Sequence, residues 1–133
     1  MPIAAKDLVE HANLLLSNSS CEVEYRNVVS KSYYAMYHSV LSILNNKPPR
    51  YDKQGVHASL ISYLQSHDIK SLEQYEPTKL KALSFMLSQY KDKRVAADYC
   101  LDLTVTKDQA LEIATAAIRF KDKCDSLQTS NNK

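Results

Sequence analysis

The sequence predicts an all-α fold, a small bundle of four to five helices. Chain breakers are scarce, because the 133 residues include one glycine and four prolines, whereas a β-sandwich needs many turn residues. Apolar side chains recur at spacings of three and four, which is the period of a helix with one buried face. The length suits one domain with its own core. We assign residues 1–127 to this domain and 128–133 to a polar, disordered tail.

The first two helices are expected at about residues 4–16 and 22–46, with the polar loop 17–21 between them. The second helix cannot continue further, because Pro48 and Pro49 lack the backbone N–H and clash with the preceding turn. With about 24 residues and a length of about 36 Å, it is long enough for the other helices to pack around it.

A third helix is expected at about residues 54–67, after the polar connection that contains both prolines. Residues 68–75 are predicted to form a loop or a short helical turn. Pro77 suits the first position of a fourth helix, because its missing N–H would have no intrahelical partner there. This helix is expected to extend to about residue 100.

Residues 101–105 are short and β-tolerant, and we predict an extended connector. Thr106 with Gln109 three residues later matches a capping box, which opens a fifth helix to about residue 127. The apolar positions of this helix follow the helical period and predict its buried face: Ala110, Ile113, Ala114, Ala117 and Phe120.

The second predicted helix has two faces that we expect to be buried against other parts of the structure. One stripe is apolar and contains Val29, Tyr33, Met36, Val40 and Ile43. The opposite side carries Lys31, Tyr34, His38 and Leu41, and the two rings and the leucine are unusual on the polar face of a surface helix. We therefore expect one face to pack on the core and the other on a second subunit, a partner protein or a ligand.

Arg94 interrupts the apolar seam of the fourth predicted helix, where a leucine would be expected. The seam consists of Leu80, Leu83, Leu87, Tyr90, Arg94 and Ala97. A guanidinium cannot lose its charge, so its burial without a partner is costly. Two interpretations follow: Arg94 pairs with Asp98 one turn later, or it faces a cleft or subunit boundary and binds a phosphate bidentately.

Three further side chains are candidates for assisting chemistry. Tyr99 follows Arg94 by five residues, and its phenol could hydrogen-bond a phosphate, although a phenol is a poor general base at neutral pH. His38 lies on the second face of the second helix, and His57 opens the third helix just after Gly55. Imidazole is the side chain suited to proton transfer near neutral pH. The alternative for each of the three is a packing role, which is the commoner one.

Several classes of protein gain no support from the sequence. The three cysteines have no CxxC spacing, which suits a reducing cytoplasm and gives no zinc signature. Short motifs for metal or nucleotide-triphosphate chemistry are missing, so no metal and no cofactor are expected. The net charge of +2 is too small to indicate nucleic-acid binding by itself. Without a long apolar run or a signal-peptide pattern, we expect a cytoplasmic protein with no membrane contact.

Three stretches of the chain resemble the small stand-alone HEPN-domain proteins, the higher-eukaryote and prokaryote nucleotide-binding family. They are SKSYYAMYH at Ser30–His38, GVHASL at Gly55–Leu60 and RVAADY at Arg94–Tyr99. With the helices between them, they cover about residues 7–122. The first and third stretches together are fairly specific, whereas the second alone is a weak match.

The resemblance implies an antiparallel, up-and-down helical bundle that commonly forms a homodimer. Many members of the family are metal-independent ribonucleases, among them phage-defence factors and toxins paired with a minimal nucleotidyltransferase antitoxin. Their active motif is an arginine, four to six residues and then a histidine, brought together across the dimer cleft. Arg94 matches the arginine, but Tyr99 stands where the histidine is expected, as in the branch that carries R-x-x-A-D-Y.

The resemblance also assigns roles to the candidate residues. Arg94 would bind and stabilise the scissile phosphate, and Asp98 would orient it. The second helix would add Lys31 and Tyr34 to phosphate binding. The groups that would assist catalysis or carry the proton are Tyr99, His38 and His57.

The expected function is therefore a metal-independent ribonuclease or toxin of a bacterial or phage-related toxin–antitoxin or defence system. It would act on RNA at a homodimer cleft, with a nucleotidyltransferase antitoxin or another defence protein as a partner. The alternative is a non-catalytic HEPN module that binds a nucleotide or a nucleotidyltransferase. A third possibility is a helical adaptor whose second face on the second helix is a dimer seam.

Overall fold

The computed structural model describes residues 3–131, which form a helical bundle. The helices are α1 (Ala5–Ser17), α2 (Glu22–Ile43), α3 (Val56–Leu64), α4 (Ile69–Leu72), α5 (Pro77–Tyr99) and α6 (Lys107–Asn131). Within residues 3–131 there is no strand, and the predicted all-α fold class is confirmed. Helix α4 is the short helical turn expected within 68–75, and it adds a one-turn element to the five longer helices.

Helix α2 ends at Ile43, two to three residues earlier than predicted, because side chains from the α4 region take over its last backbone groups. The Tyr75 hydroxyl donates to the Ile43 carbonyl at 2.8 Å. The buried Glu73 carboxylate accepts from the backbone N–H groups of Asn45 at 2.6 Å and Asn46 at 3.1 Å. A further helical turn is therefore replaced by these tertiary hydrogen bonds.

The connection between α5 and α6 differs from the prediction. Residues 101–103 form a turn instead of an extended connector, and the Leu103 N–H donates to the Cys100 carbonyl at 3.1 Å. The capping box that follows is present. The Thr106 N–H donates to the Gln109 amide oxygen at 2.9 Å, and the Gln109 N–H donates to the Thr106 hydroxyl at 3.2 Å.

The C-terminal helix is longer than the sequence predicts. Helix α6 continues to Asn131, beyond its predicted end at about residue 127. The rest of the predicted tail, 132–133, and the first two residues of the predicted domain, 1–2, lie outside the described residues.

Helix α2 is central to the bundle, and α1, α5 and α6 all pack against it. Its predicted apolar stripe is buried at every position: Val29, Tyr33, Met36, Val40 and Ile43. Helix α3 packs against α5, and this contact brings the start of α3 to the junction of α2 and α5. The candidate site is built at that junction.

A second arginine, Arg26 of α2, joins α2 to the end of α5. The side chain is 9% exposed and pairs with Glu22 one turn earlier, at 2.8 Å. Its guanidinium donates to the carbonyls of Ala97 at 2.9 Å and Cys100 at 3.2 Å, and also to the carbonyl of Leu103. A cation at a helix C-terminus satisfies carbonyls that have no intrahelical partner. These bonds give the chain after α5 its turn conformation.

Candidate active site

Three helices, α2, α3 and α5, meet around the guanidinium of Arg94. Arg94 lies on the buried seam of α5 and is 8% exposed, as its position in the apolar pattern predicts. The rings of Tyr33 and Tyr34 on α2 both lie 5.5 Å from its central carbon. His57, near the start of α3, packs on Tyr33 with 5.3 Å between ring centres. We refer to the aromatic side chains here as the ring cluster: Tyr33, Tyr34, Tyr37, His38 and His57.

The charge of Arg94 is only partly compensated. Its Nη1 donates to the Asp98 carboxylate at 3.4 Å, which is the predicted pair one turn apart. The Ser30 hydroxyl donates to the same carboxylate oxygen, also at 3.4 Å, and so fixes Asp98. The Nε of Arg94 is buried and has no hydrogen-bond partner among the described residues. The two tyrosine faces contribute about 0.5–2 kcal/mol each. Arg94 is therefore held in place, and the described residues do not use all of its donors.

His57 is a neutral imidazole in this environment. Its Nδ1 lies 3.0 Å from the hydroxyl of Tyr33, within hydrogen-bond distance. Burial lowers the pKa of His57 to about 4, and the positive charges of Arg94 and Lys91 add to this effect. The ring is half-buried, so one edge remains accessible. At neutral pH the side chain therefore offers hydrogen bonds without a charge.

His38 lies at the exposed edge of the ring cluster. Its ring centre is 5.2 Å from that of Tyr37, with the two rings nearly perpendicular at 85°. The ring centre of Tyr37 is in turn 4.3 Å from that of His57. Tyr37 thus links the two histidines, and His38 contributes to lowering the pKa of His57. Both predicted imidazoles therefore lie in the ring cluster, and Arg94 contacts this cluster through Tyr33 and Tyr34.

Two lysines add positive charge around the cluster. Lys91 of α5, one turn before Arg94, is half-buried and acts electrostatically on His57. Lys31 of α2 is exposed and lies one helical turn before Tyr34, on the same face. Of the predicted phosphate-binding residues, Tyr34 contacts Arg94 directly, whereas Lys31 is placed near it only by its spacing along α2.

Tyr99 is not part of this cluster. It is 72% exposed at the end of α5, and five residues correspond to about 140° of rotation from Arg94 around the helix. The expectation that Tyr99 assists Arg94 is not met within one copy of the chain. Helical geometry explains the difference, because side chains three or four residues apart share a face and those five apart do not.

Sequence reasoning missed two roles in the site, those of Tyr33 and Tyr37. Tyr33 was assigned to the core stripe of α2, where it is indeed fully buried, yet it contacts both Arg94 and His57. Tyr37 joins the two histidines. The available signal was the density of aromatic residues, three tyrosines and a histidine between positions 33 and 38. A run this rich in rings on a central helix exceeds what a core stripe requires.

The arrangement suits the binding of an anion, in particular a phosphate. A buried guanidinium with a free donor is a strong partner for phosphate oxygens, because its hydrogen bonds are charge-assisted. Aromatic rings and an imidazole beside it provide surfaces for a planar base. The half-buried rings and exposed His38 make the region accessible from solvent.

A separate cavity of about 180 Å³ lies between α5, α6 and their connection. It is lined mainly by apolar groups, including Val29, Ala96, Leu103 and Ile113, with Lys93 and Glu112 among its polar members. Lys93 and Glu112 form an ion pair at 3.6 Å, so their charges are already paired. The cavity contains none of the predicted site residues. The ring cluster with Arg94 is therefore the better candidate for the functional site.

Within residues 3–131, no group of three or more histidine, cysteine, aspartate or glutamate side chains could hold a metal ion. Over the same residues, no helix has the length and apolar character needed to cross a membrane.

Comparison with protein-family models, with curated proteins and with solved structures finds no match to this chain. The function is therefore inferred from the geometry of the site and from the sequence pattern.

Proposed function

We propose that this protein is a HEPN-type ribonuclease that cleaves RNA without a metal ion. One observation carries the proposal: neighbouring tyrosines of α2 connect Arg94 to both histidines, since Tyr33 contacts Arg94 and His57, and Tyr37 contacts His57 and His38. Arginine binds phosphate through charge-assisted hydrogen bonds, and imidazoles transfer protons near neutral pH. Metal-free phosphodiester cleavage needs groups that transfer protons and a group that stabilises the charge on the phosphorane, and these side chains are able to supply both.

The proposed reaction is attack by a ribose 2′-oxygen on the adjacent phosphorus. A base removes the 2′-hydroxyl proton, and an acid protonates the departing 5′-oxygen. Arg94 would neutralise the charge that develops on the phosphorane, which is often the largest single contribution of such a site. The proton transfers would fall to His38 or His57. Asp98 would keep Arg94 in its orientation.

A homodimer is part of the proposal. The second face of α2 remains partly open, with Lys31 and His38 exposed and Tyr34 and Leu41 half-buried. A second copy placed on this face would add a further set of the same groups to the cleft. The proposed setting is the cytoplasm, in a toxin–antitoxin or defence system. A nucleotidyltransferase antitoxin is the partner that the resemblance implies.

The second candidate is a non-catalytic HEPN module that binds a nucleotide or a nucleotidyltransferase through Arg94. A specific observation favours it: Tyr99 occupies the motif position of the catalytic histidine and is exposed away from Arg94. In addition, the pKa of His57, lowered to about 4 by burial and by Arg94, makes this imidazole a weak base. Catalysis then depends on His38.

The test is incubation of the purified protein with labelled tRNA and mRNA in the presence of EDTA, beside Arg94→Ala. We expect the wild-type protein to cleave RNA and Arg94→Ala to lose about 100-fold or more in rate, since a donor to the transition state is removed. Arg119→Ala, which changes an exposed arginine on α6, is the matched control and should cleave as the wild type does.

The other outcomes separate the candidates. RNA or nucleotide binding that depends on Arg94, without cleavage, would favour the binding module. Equal cleavage by wild type and Arg94→Ala would contradict the assignment of the site. Circular dichroism of both variants establishes that a loss of activity is not a loss of fold.

A further inference from the structure

The contact between Tyr33 and His57 restricts what His57 is able to do. The Tyr33 hydroxyl lies 3.0 Å from Nδ1 of His57, and Tyr33 is fully buried, whereas the His57 ring is half-buried. A hydrogen bond at this position can run in two directions. Either the phenol donates to a bare Nδ1, or a protonated Nδ1 donates to the phenol oxygen.

Burial decides between the two directions. No other hydrogen bond of the Tyr33 hydroxyl is present among the described residues, so a phenol that accepts from His57 would leave its own O–H without an acceptor. An unsatisfied buried donor costs about 1–3 kcal/mol. When the phenol donates instead, Nδ1 is satisfied and the remaining Nε2–H lies on a ring with access to solvent. The second arrangement satisfies every group.

The surrounding charges also favour a neutral His57 that accepts the hydrogen bond from Tyr33. From α5, Arg94 and Lys91 oppose a positive charge on His57, and from α2, His38 does so as well. Burial raises the pKa of Tyr33 well above its ordinary value, so the phenol keeps its proton and remains a donor. Protonation of His57 would require Nδ1–H and would break the hydrogen bond from Tyr33. The position that could accept a proton is therefore already occupied.

We infer that Tyr33 is a positioning residue that fixes His57 as the neutral Nε2–H tautomer, so that His57 donates a hydrogen bond to the bound anion. The proton-carrying role then belongs to His38, at the exposed edge of the ring cluster. The tautomer follows from the geometry alone. The roles of the two histidines in RNA cleavage rest on the proposed function.

The tautomer can be measured directly by ¹⁵N NMR of the histidine rings. In the wild-type protein at pH 7 we expect the Nδ1 of His57 to show the shift of an unprotonated ring nitrogen and Nε2 that of a protonated one. Tyr33→Phe keeps the ring against Arg94 but removes the donor, so His57 should move towards the tautomer mixture of the exposed His67. Tyr25→Phe, at a half-buried tyrosine on the same helix, is the matched control and should leave His57 unchanged.

A protonated Nδ1 in the wild-type protein, or a His57 spectrum that Tyr33→Phe leaves unchanged, would overturn the inference. Neither result depends on any activity. A failure of the proposed function is therefore distinguishable from a failure of this inference, because a protein that does not cleave RNA still reports its tautomer.

The division of roles is tested with RNA in EDTA. His57→Gln retains an amide donor near the position of Nε2, so we expect cleavage to fall by about threefold to tenfold, the loss of part of one hydrogen bond. His38→Gln removes the proton carrier, and cleavage should fall by at least about 100-fold while RNA binding persists. Tyr33→Phe should resemble His57→Gln. If His57→Gln abolished cleavage as completely as His38→Gln, His57 would itself carry the proton and the inference would be wrong.

Discussion

The chain buries two arginines to the same extent and uses them in opposite ways. Arg26 on α2 is 9% exposed and Arg94 on α5 is 8% exposed. Both have an acidic partner one helical turn away, Glu22 for Arg26 and Asp98 for Arg94. The two arginines therefore cannot be distinguished by their burial or by the spacing of their acidic partners.

Their hydrogen bonds distinguish them. The ion pair of Arg26 is short, at 2.8 Å, and its remaining donors reach the carbonyls at the end of α5, including that of Ala97 at 2.9 Å. The ion pair of Arg94 is long, at 3.4 Å, and its Nε has no partner among the described residues. The hydrogen-bond donors of Arg26 are therefore all used within the fold. Arg94 is instead held between aromatic rings, which leave some of its donors without a hydrogen bond.

The difference shows how to tell a structural cation from a binding one. A buried guanidinium whose donors are all satisfied stabilises the fold and has nothing left for a ligand. One that is buried with unused donors imposes a cost that a ligand can offset. The comparison predicts opposite effects for equivalent substitutions at the two positions.

Replacement of Arg26 should cause the largest loss of stability. Arg26→Leu leaves the carbonyls at the end of α5 without their donor, and we expect the free energy of unfolding to fall by about 3 kcal/mol. Urea denaturation followed by circular dichroism measures the change. The free energy of unfolding of Arg26→Lys should lie between those of the wild type and Arg26→Leu, because an ammonium keeps the charge but cannot reach all of these carbonyls.

The matched control for this loss is Arg119→Ala on the surface of α6, which should change stability by no more than about 0.5 kcal/mol. A loss below about 1 kcal/mol for Arg26→Leu would mean that water replaces the guanidinium at the carbonyls. The contrast between the two arginines would then disappear.

Replacement of Arg94 should change stability much less. Arg94→Leu exchanges an incompletely paired buried charge for apolar packing against Tyr33 and Tyr34, an exchange that is often neutral or stabilising. We expect the free energy of unfolding to stay within about 1 kcal/mol of the wild type or to rise, while phosphate binding is lost. A loss as large as that of Arg26→Leu would show that Arg94 is a structural residue and would remove the basis for the proposed site.

The smallest expected effect is a partial shift in the titration of His57. Burial is the main cause of its lowered pKa and Arg94 is the second, so Arg94→Leu should raise the pKa of His57 above about 4 without restoring its ordinary value. Arg26→Lys should leave the pKa unchanged, since Arg26 is not among the groups that act on His57. A pH titration of the His57 ring by NMR measures both variants, and equal shifts in the two would contradict the comparison.

The same lowered pKa affects stability in acid. Between the unfolded value near 6.5 and the folded value of about 4, the unfolded chain binds a proton at His57 that the folded chain does not. Stability should therefore decrease as the pH falls through this range. His57→Gln should remove that part of the slope, whereas His67→Gln, at an exposed position, should leave it in place.

Much of the fold followed from the sequence because helices are local structures. The period of apolar residues placed the stripe of α2, and the capping box of Thr106 and Gln109 placed the start of α6. The same period put Arg94 in a buried seam, which the structure confirms. The end of α2 was missed, since hydrogen bonds from Glu73 and Tyr75, about 30 residues away in the sequence, determine it.

The sequence by itself thus determined the helices, the buried faces and the anomaly of a charge at Arg94, because each depends on neighbours within one or two turns. Tertiary structure decided which groups surround that charge. It brought His57 from another helix to Tyr33, and it supplied Arg26 with carbonyl acceptors more than 70 residues further along the chain. These contacts depend on how α2, α3 and α5 pack, and the period of apolar residues along one helix carries no information about its partner.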